Sequence, residues 1–173
     1  PKVIYSKATD DGHETKVTTL SNGLKVASQP KLGQFCTVGV IIESGPRYEI
    51  NYPSGVSHFL EKLSFHSTLN YESKNEIYKE LEQHGGMVDC QSTRDSLIYA
   101  ASIDSRKLET AVKIIAEAIL RPKILDEEVK LARQAVAFEL EDLSMKPDQE
   151  LILVDLIHAS AYRSNTLGLP KLC

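Results

Sequence analysis

Met87-Val88-Asp89-Cys90-Gln91 and Leu97-Ile98-Tyr99-Ala100-Ala101-Ser102-Ile103, on either side of Thr93-Arg94-Asp95, read as two strands joined by a turn. Straight after them Leu108, Ala111, Val112, Ile115 and Ile119 recur at helical spacing until Pro122 stops the run. Strands that lead directly into an amphipathic helix predict a sheet with helices packed on it.

The same grammar holds on both sides of this stretch. Upstream, Val17-Thr18-Thr19-Leu20 and Leu24-Lys25-Val26-Ala27 flank Asn22-Gly23, a hairpin signal. Cys36 to Ile42 alternates, with Val38, Val40 and Ile42 on one side, as a half-buried strand does. Tyr52-Pro53-Ser54-Gly55 then interrupts, and a helix pattern begins. Ser73-Lys74-Asn75-Glu76 has the form of a capping box, and Gly85-Gly86 closes the helix that follows it. Downstream, Asp126 is placed to cap a helix with the stripe Val129, Ala132, Val136, Leu140 and Leu143. A last helix after Pro147 carries Leu151, Val154, Ile157 and Ala161 on one face. The predicted class is α+β: a mixed, mainly antiparallel sheet covered by helices. Residues 1–15, with Asp10-Asp11-Gly12, read as a flexible lead-in, and residues 16–173 as one domain.

Composition narrows the function. Hydrophobic residues at 42% and charged residues at 25% are those of a folded domain rather than a disordered chain. The net charge of -4 lacks the basic excess of a nucleic-acid binder, so no nucleic-acid partner is expected. No apolar run is long enough to span a bilayer, so membrane association is expected only through partners. Cys36, Cys90 and Cys173 lie far apart with no C-x-x-C, which points to a reducing compartment. The N-terminus has no signal-peptide pattern, though a cleaved targeting segment would leave none.

The chemistry sits in His58-Phe59-Leu60-Glu61-Lys62. On a helix, Val56, Phe59, Leu60 and Leu63 share one face, and His58, Glu61 and Lys62 take the other, away from the core and toward solvent, a cleft or another part of the chain. The inverted zinc-peptidase motif is H-x-x-E-H: two histidines one turn apart on one metal, and a glutamate beside them as general base. Here the second histidine is Lys62, whose ammonium has no lone pair. Taken alone, the pattern is a surface histidine beside a charged pair. His84, at a helix end, suits the dipole there, while His66 and His158 have no partner at metal spacing. The acidic groups 126–128, 139–142 and 148–150 read first as solvated helix faces and dipole partners.

Several motifs in order carry a family resemblance: Thr18 to Leu24, Gln34 to Gly39, Ser44-Gly45-Pro46-Arg47-Tyr48-Glu49, Gly55 to Phe65, Phe138 to Leu143 and Ala161-Tyr162-Arg163. With them the chain resembles the pitrilysin-type peptidases (metallopeptidase family M16). Within that family it is similar to the alpha-type subunits of the heterodimeric mitochondrial processing peptidases. The resemblance implies a pitrilysin-type half-domain and a home in the mitochondrial matrix. It also implies, in catalytic members, a third zinc ligand that falls on Glu139, with 76 residues between it and Lys62. Those members have an acid seven positions earlier, where this chain has Ala132.

His58, Glu61, Lys62 and Glu139 are therefore expected to be vestigial metal-site positions, with no catalytic residue and no metal in this chain. Lys62 is expected to bring its ammonium near Glu139 and Glu61 in place of a metal, or else to extend into water. The implied role is non-catalytic recognition of basic presequences, beside a catalytic beta subunit that holds the zinc. The alternative is a structural core subunit of respiratory complex III. A free active zinc peptidase is disfavoured by Lys62 and Ala132. Because such subunits consist of two similar halves, the chain is expected to represent an incomplete N-terminal half, with an unpaired strand edge or an exposed apolar face.

Overall fold

Short strands pair first with their sequence neighbours. In the computed structural model, which describes residues 14–163 and 165–172, β1 (Lys16–Thr19) and β2 (Lys25–Ser28) pair antiparallel, Lys16 opposite Ser28 and Thr19 opposite Lys25. The Asn22-Gly23 turn forms as expected, with Leu24 N–H donating to Asn22 Oδ1 at 3.1 Å. The lead-in through residue 13, and Cys173, lie outside the described residues. The chain divides into two compact units, residues 1–34 with the hairpin and residues 35–173 with everything that follows.

In the second unit, β3 (Phe35–Ile42), β4 (Met87–Ser92) and β5 (Leu97–Asp104) make an antiparallel sheet in the order β3-β5-β4. β5 is central because it can pair on both sides: Phe35 faces Asp104 and Ile42 faces Leu97 on one, while Met87 faces Ser102 and Ser92 faces Leu97 on the other. β3 and β4 are the sheet's two edges. Leu97, Tyr99, Ala101 and Ile103 alternate along β5 and are all buried, as period-two patterning requires. The core closes over them with Phe65, Ile77, Leu81, Ile114 and Ile115. Phe65 meets Tyr99 edge to face, with ring centroids 5.7 Å apart.

The helices are α1 (Val56–Leu63), α2 (Lys74–Glu82), α3 (Leu108–Leu120), α4 (Asp126–Met145) and α5 (Glu150–Tyr162), and a 3-10 helix spans Pro46–Asn51. None of the helices among the described residues is long and apolar enough to cross a membrane. Their order follows the sequence reading, but several details differ. The Ser73 side chain makes no cap bond, and Glu76 instead accepts from Glu72 N–H at 2.7 Å. Asp126 is the first residue of α4 rather than its cap, and Glu128 takes the cap role by accepting from Leu125 N–H at 3.0 Å.

The buried face of α3 keeps Ala111 and Ile115 of the expected stripe, with Ile119 packed against the core, but it is shifted at the edges: Ile114, Glu117 and Ala118 are also buried, whereas Leu108 and Val112 are exposed. A fully buried Glu117 is tolerable because Asn70 Nδ2 donates to it at 2.8 Å and Arg121, one turn on, forms an ion pair with it. In α5 the expected inner face is reversed. Leu151, Val154 and Ile157 are exposed, while Ile152, Asp155 and His158 are half-buried. The cause is Asp155, which forms an ion pair with Arg94 on the β4–β5 turn and turns its own side of the helix inward.

Candidate functional site

Helix α1 carries the site: its polar face is turned to another part of the chain, and on its apolar face Leu60 packs against the core. Ser57 and His58 are buried, and Glu61 is about one-fifth exposed. Phe59, Leu60 and Leu63 are only half-buried and line an open apolar groove with Pro53, Val56 and Ile124. The polar face packs inward because β4 and α4 offer it partners.

Glu61 is held by Ser92, the last residue of β4. Both the Ser92 N–H (2.7 Å) and its hydroxyl (2.5 Å) donate to Glu61 Oε2. Burial pushes the Glu61 carboxyl up, but the two Ser92 bonds, followed by the charges of Lys62 and His58, outweigh it and hold the group below its ordinary range.

Glu139 reaches the site from α4. His58 Nε2 lies 3.1 Å from Glu139 Oε2, and since a carboxylate only accepts, the imidazole hydrogen sits on Nε2. Lys62 Nζ lies 2.7 Å from the same oxygen and 3.5 Å from Glu61 Oε1. Burial pushes the Lys62 ammonium down, but Glu139 and then Glu61 more than reverse this, so it stays charged over a wider range than a free lysine. His58, Glu139, Lys62, Glu61 and Ser92 thus form one continuous polar chain from α4 across α1 to β4. Ala132, two turns before Glu139 on α4, is buried and adds a methyl where a carboxylate would have added a third negative charge.

The structure therefore brings together all the residues singled out by sequence: His58, Glu61, Lys62 and Glu139. His66 and His158 stand apart from this chain of contacts. His66 Nδ1 lies 3.1 Å from Ser64 O, and His158 stacks on Tyr162. Among the described residues, no three His, Cys, Asp or Glu side chains gather as a metal-ligand group. The site can hold charge in balance and order α1 against α4, and its amine offers no lone pair to a metal while protonated.

Two participants escaped the sequence reading. Ser92 looks like a strand-end serine, and only the pairing of β4 with β5 shows that it faces α1. Glu49 is buried in the 3-10 helix, and its carboxylate accepts from Gly55 N–H at 2.7 Å and Ser57 N–H at 2.6 Å. The one available signal for it was negative: α1 starts without a Ser, Thr, Asn or Asp at its cap, so its first N–H groups needed another acceptor.

Known proteins are similar to this chain in sequence and in fold. Residues 25–173 match the family described as Insulinase (Peptidase family M16). The whole chain is 56% identical to the mitochondrial-processing peptidase subunit alpha of Bos taurus, covering 33% of that protein. It is 40% identical over 92% of its length to the subunit alpha of Caenorhabditis elegans, and 34% identical over 90% to the subunit beta of Mus musculus, covering 31% of each. A crystal structure of a protease from Helicobacter pylori superposes with a TM-score of 0.67 at 30% identity, over 73% of this chain and 30% of that one. The chain spans about a third of the length of the curated relatives it matches. Sequence and fold agree, and the chain belongs to peptidase family M16, the insulinase family.

Proposed function

We propose that this chain contributes the N-terminal part of a non-catalytic, presequence-recognising alpha subunit of a mitochondrial processing peptidase, located in the matrix. The 56% identity to such subunits supports the assignment. The observation that carries the non-catalytic part is Lys62 Nζ at 2.7 Å from Glu139 Oε2. A zinc site of the catalytic kind needs three protein ligands and an open water position. Here His58 and Glu139 remain, already bonded to each other, and a protonated amine stands where the second histidine would be. These residues do not fit zinc. Lys62 stands in for the metal by offsetting the carboxylates that zinc would have neutralised. Zinc and peptide cleavage then belong to a beta-type partner, and this chain's share is to help to hold the basic, amphipathic presequence.

The test uses the full-length protein with and without a beta-type subunit whose H-x-x-E-H is intact. Zinc content and cleavage of a presequence peptide are measured in each case. The expected result is one zinc per heterodimer, lost when the partner's motif is altered and unchanged by Lys62→Met. Stoichiometric zinc and cleavage by this protein alone would overturn the reading. Recovery from mitochondria with complex III subunits, and without a peptidase partner, would replace it by a scaffold role.

A further inference from the structure

Helix α1 is only eight residues long and begins at Gly55 in the left-handed region (φ 89), with no side-chain bond from the cap residue itself. A helix this short has little stability of its own, and its first N–H groups need acceptors. Both requirements are met from outside the helix. Glu49 Oε2 accepts from Gly55 N–H at 2.7 Å and Glu49 Oε1 from Ser57 N–H at 2.6 Å, so one buried carboxylate clamps the cap position and the second helical position together. Its negative charge meets the positive end of the helix dipole. His58 is the next residue along.

Glu49 is itself fixed. Arg47, two residues before it, donates to Asp95 Oδ1 at 2.7 Å, and Arg47 N–H donates to Arg94 O at 3.1 Å. The β4–β5 turn thus holds the 3-10 helix, and the 3-10 helix holds the start of α1. We infer that Glu49 is a positioning residue: it sets the first turn of α1, and through it the His58 imidazole on Glu139. A carboxylate suits this task better than a serine cap, because its two acceptor oxygens grip two N–H groups and fix rotation as well as position.

The experiment uses the full-length protein, with histidine labelled for NMR and the His58 signals assigned from a His58→Asn variant. Glu49→Gln keeps the shape but removes the charge and one acceptor, and Glu49→Ala removes both acceptors. Amide exchange over residues 55–59 is expected to quicken about tenfold or more in Glu49→Gln, the scale of one lost charged hydrogen bond. The His58 ring signals should move in the same variant, while the ring signals of His66 and His158 stay in place. If Glu49→Ala proves too unstable to purify, Glu49→Gln decides alone. Unchanged His58 signals together with unchanged exchange at residues 55–59 in folded Glu49→Gln would overturn the inference. These readouts lie on this chain's own residues, so they stand whether or not the presequence reading does.

Discussion

Ser92 gives both of its donors, the backbone N–H and the hydroxyl, to a single oxygen of Glu61. The carboxylate is thereby kept ionised, oriented and occupied at the junction of β4 and α1. Replacing Ser92 by alanine removes one of the two bonds and leaves the other. The expected cost is about 1 kcal/mol, within the usual range for a partly exposed hydrogen bond to a charged group. Urea unfolding of the two proteins measures it, and equal midpoints would show that the hydroxyl adds nothing.

The acid and alkaline limbs of stability should have separate causes at this site. Glu61 is held below its ordinary value of 4.5, so its contribution is fully present above that value and fades as pH falls through the lower folded value. Lys62 is held above its ordinary value of 10.5, so its contribution is present below that value and is lost as pH climbs through the higher folded value. Melting temperature across pH should therefore show a plateau in between. Lys62→Met should remove this site's share of the alkaline fall. An unaltered alkaline limb in that variant would sink the assignment.

Lys62→Met should also destabilise the fold at neutral pH, because Glu139 and Glu61 then lose the cation between them. The side chains are partly solvated, so the expected loss is about 1 kcal/mol rather than the several expected of a dry pair. Its size should shrink in high salt, as screening offsets the unpaired carboxylates. Salt titration of the wild-type and variant unfolding midpoints gives the comparison.

Gly45 lies where no side chain fits. A Cβ there would stand 2.5 Å from Arg94 O and 2.6 Å from Thr93 O, both backbone atoms. Gly45→Ala must push the β4–β5 turn away, at a cost of about 1–3 kcal/mol. Because Arg94 also donates to Leu167 O (3.2 Å) and Leu169 O (3.0 Å), the shift should loosen the C-terminal segment. Limited proteolysis should then cut faster near residues 163–172. Wild-type cutting rates there would show that the turn absorbs the methyl locally.

In the core, Ile114 is fully buried beside Ala111 and Ile115 of the sequence stripe, which left it out while including the exposed Val112. Ile114→Ala should cost about 2–5 kcal/mol, against less than 1 kcal/mol for the exposed Val112→Ala. Similar losses for the two would mean that Val112 is packed as tightly as Ile114.

Strands are legible in this sequence where helix faces are not. The strands were plain, because alternation such as Val38, Val40 and Ile42 survives half-burial, and the Asn22-Gly23 turn has its own chemistry. The helix faces were harder. Glu117 masked the inner face of α3, since its partners Asn70 and Arg121 include a residue 47 positions away. On α1 the apolar stripe is only half-buried, with Leu60 on the core, and the polar side is the more deeply buried one, satisfied by Ser92, Glu139 and Glu49 from three other elements. His58, Glu61, Lys62 and Glu139 could be singled out because residue type and spacing mark them. Ser92 and Glu49 act partly or wholly through backbone N–H groups, which no residue pattern records.

The cation beside Glu139 is an amino acid, and that changes what governs it. A bound ion comes and goes with supply and yields to a chelator. The Lys62 ammonium is made with the chain, one per molecule, and is present as soon as α1 meets α4. Chelation cannot remove it, and ion shortage cannot empty it. Only strong alkali, or acylation of the amine, can discharge it.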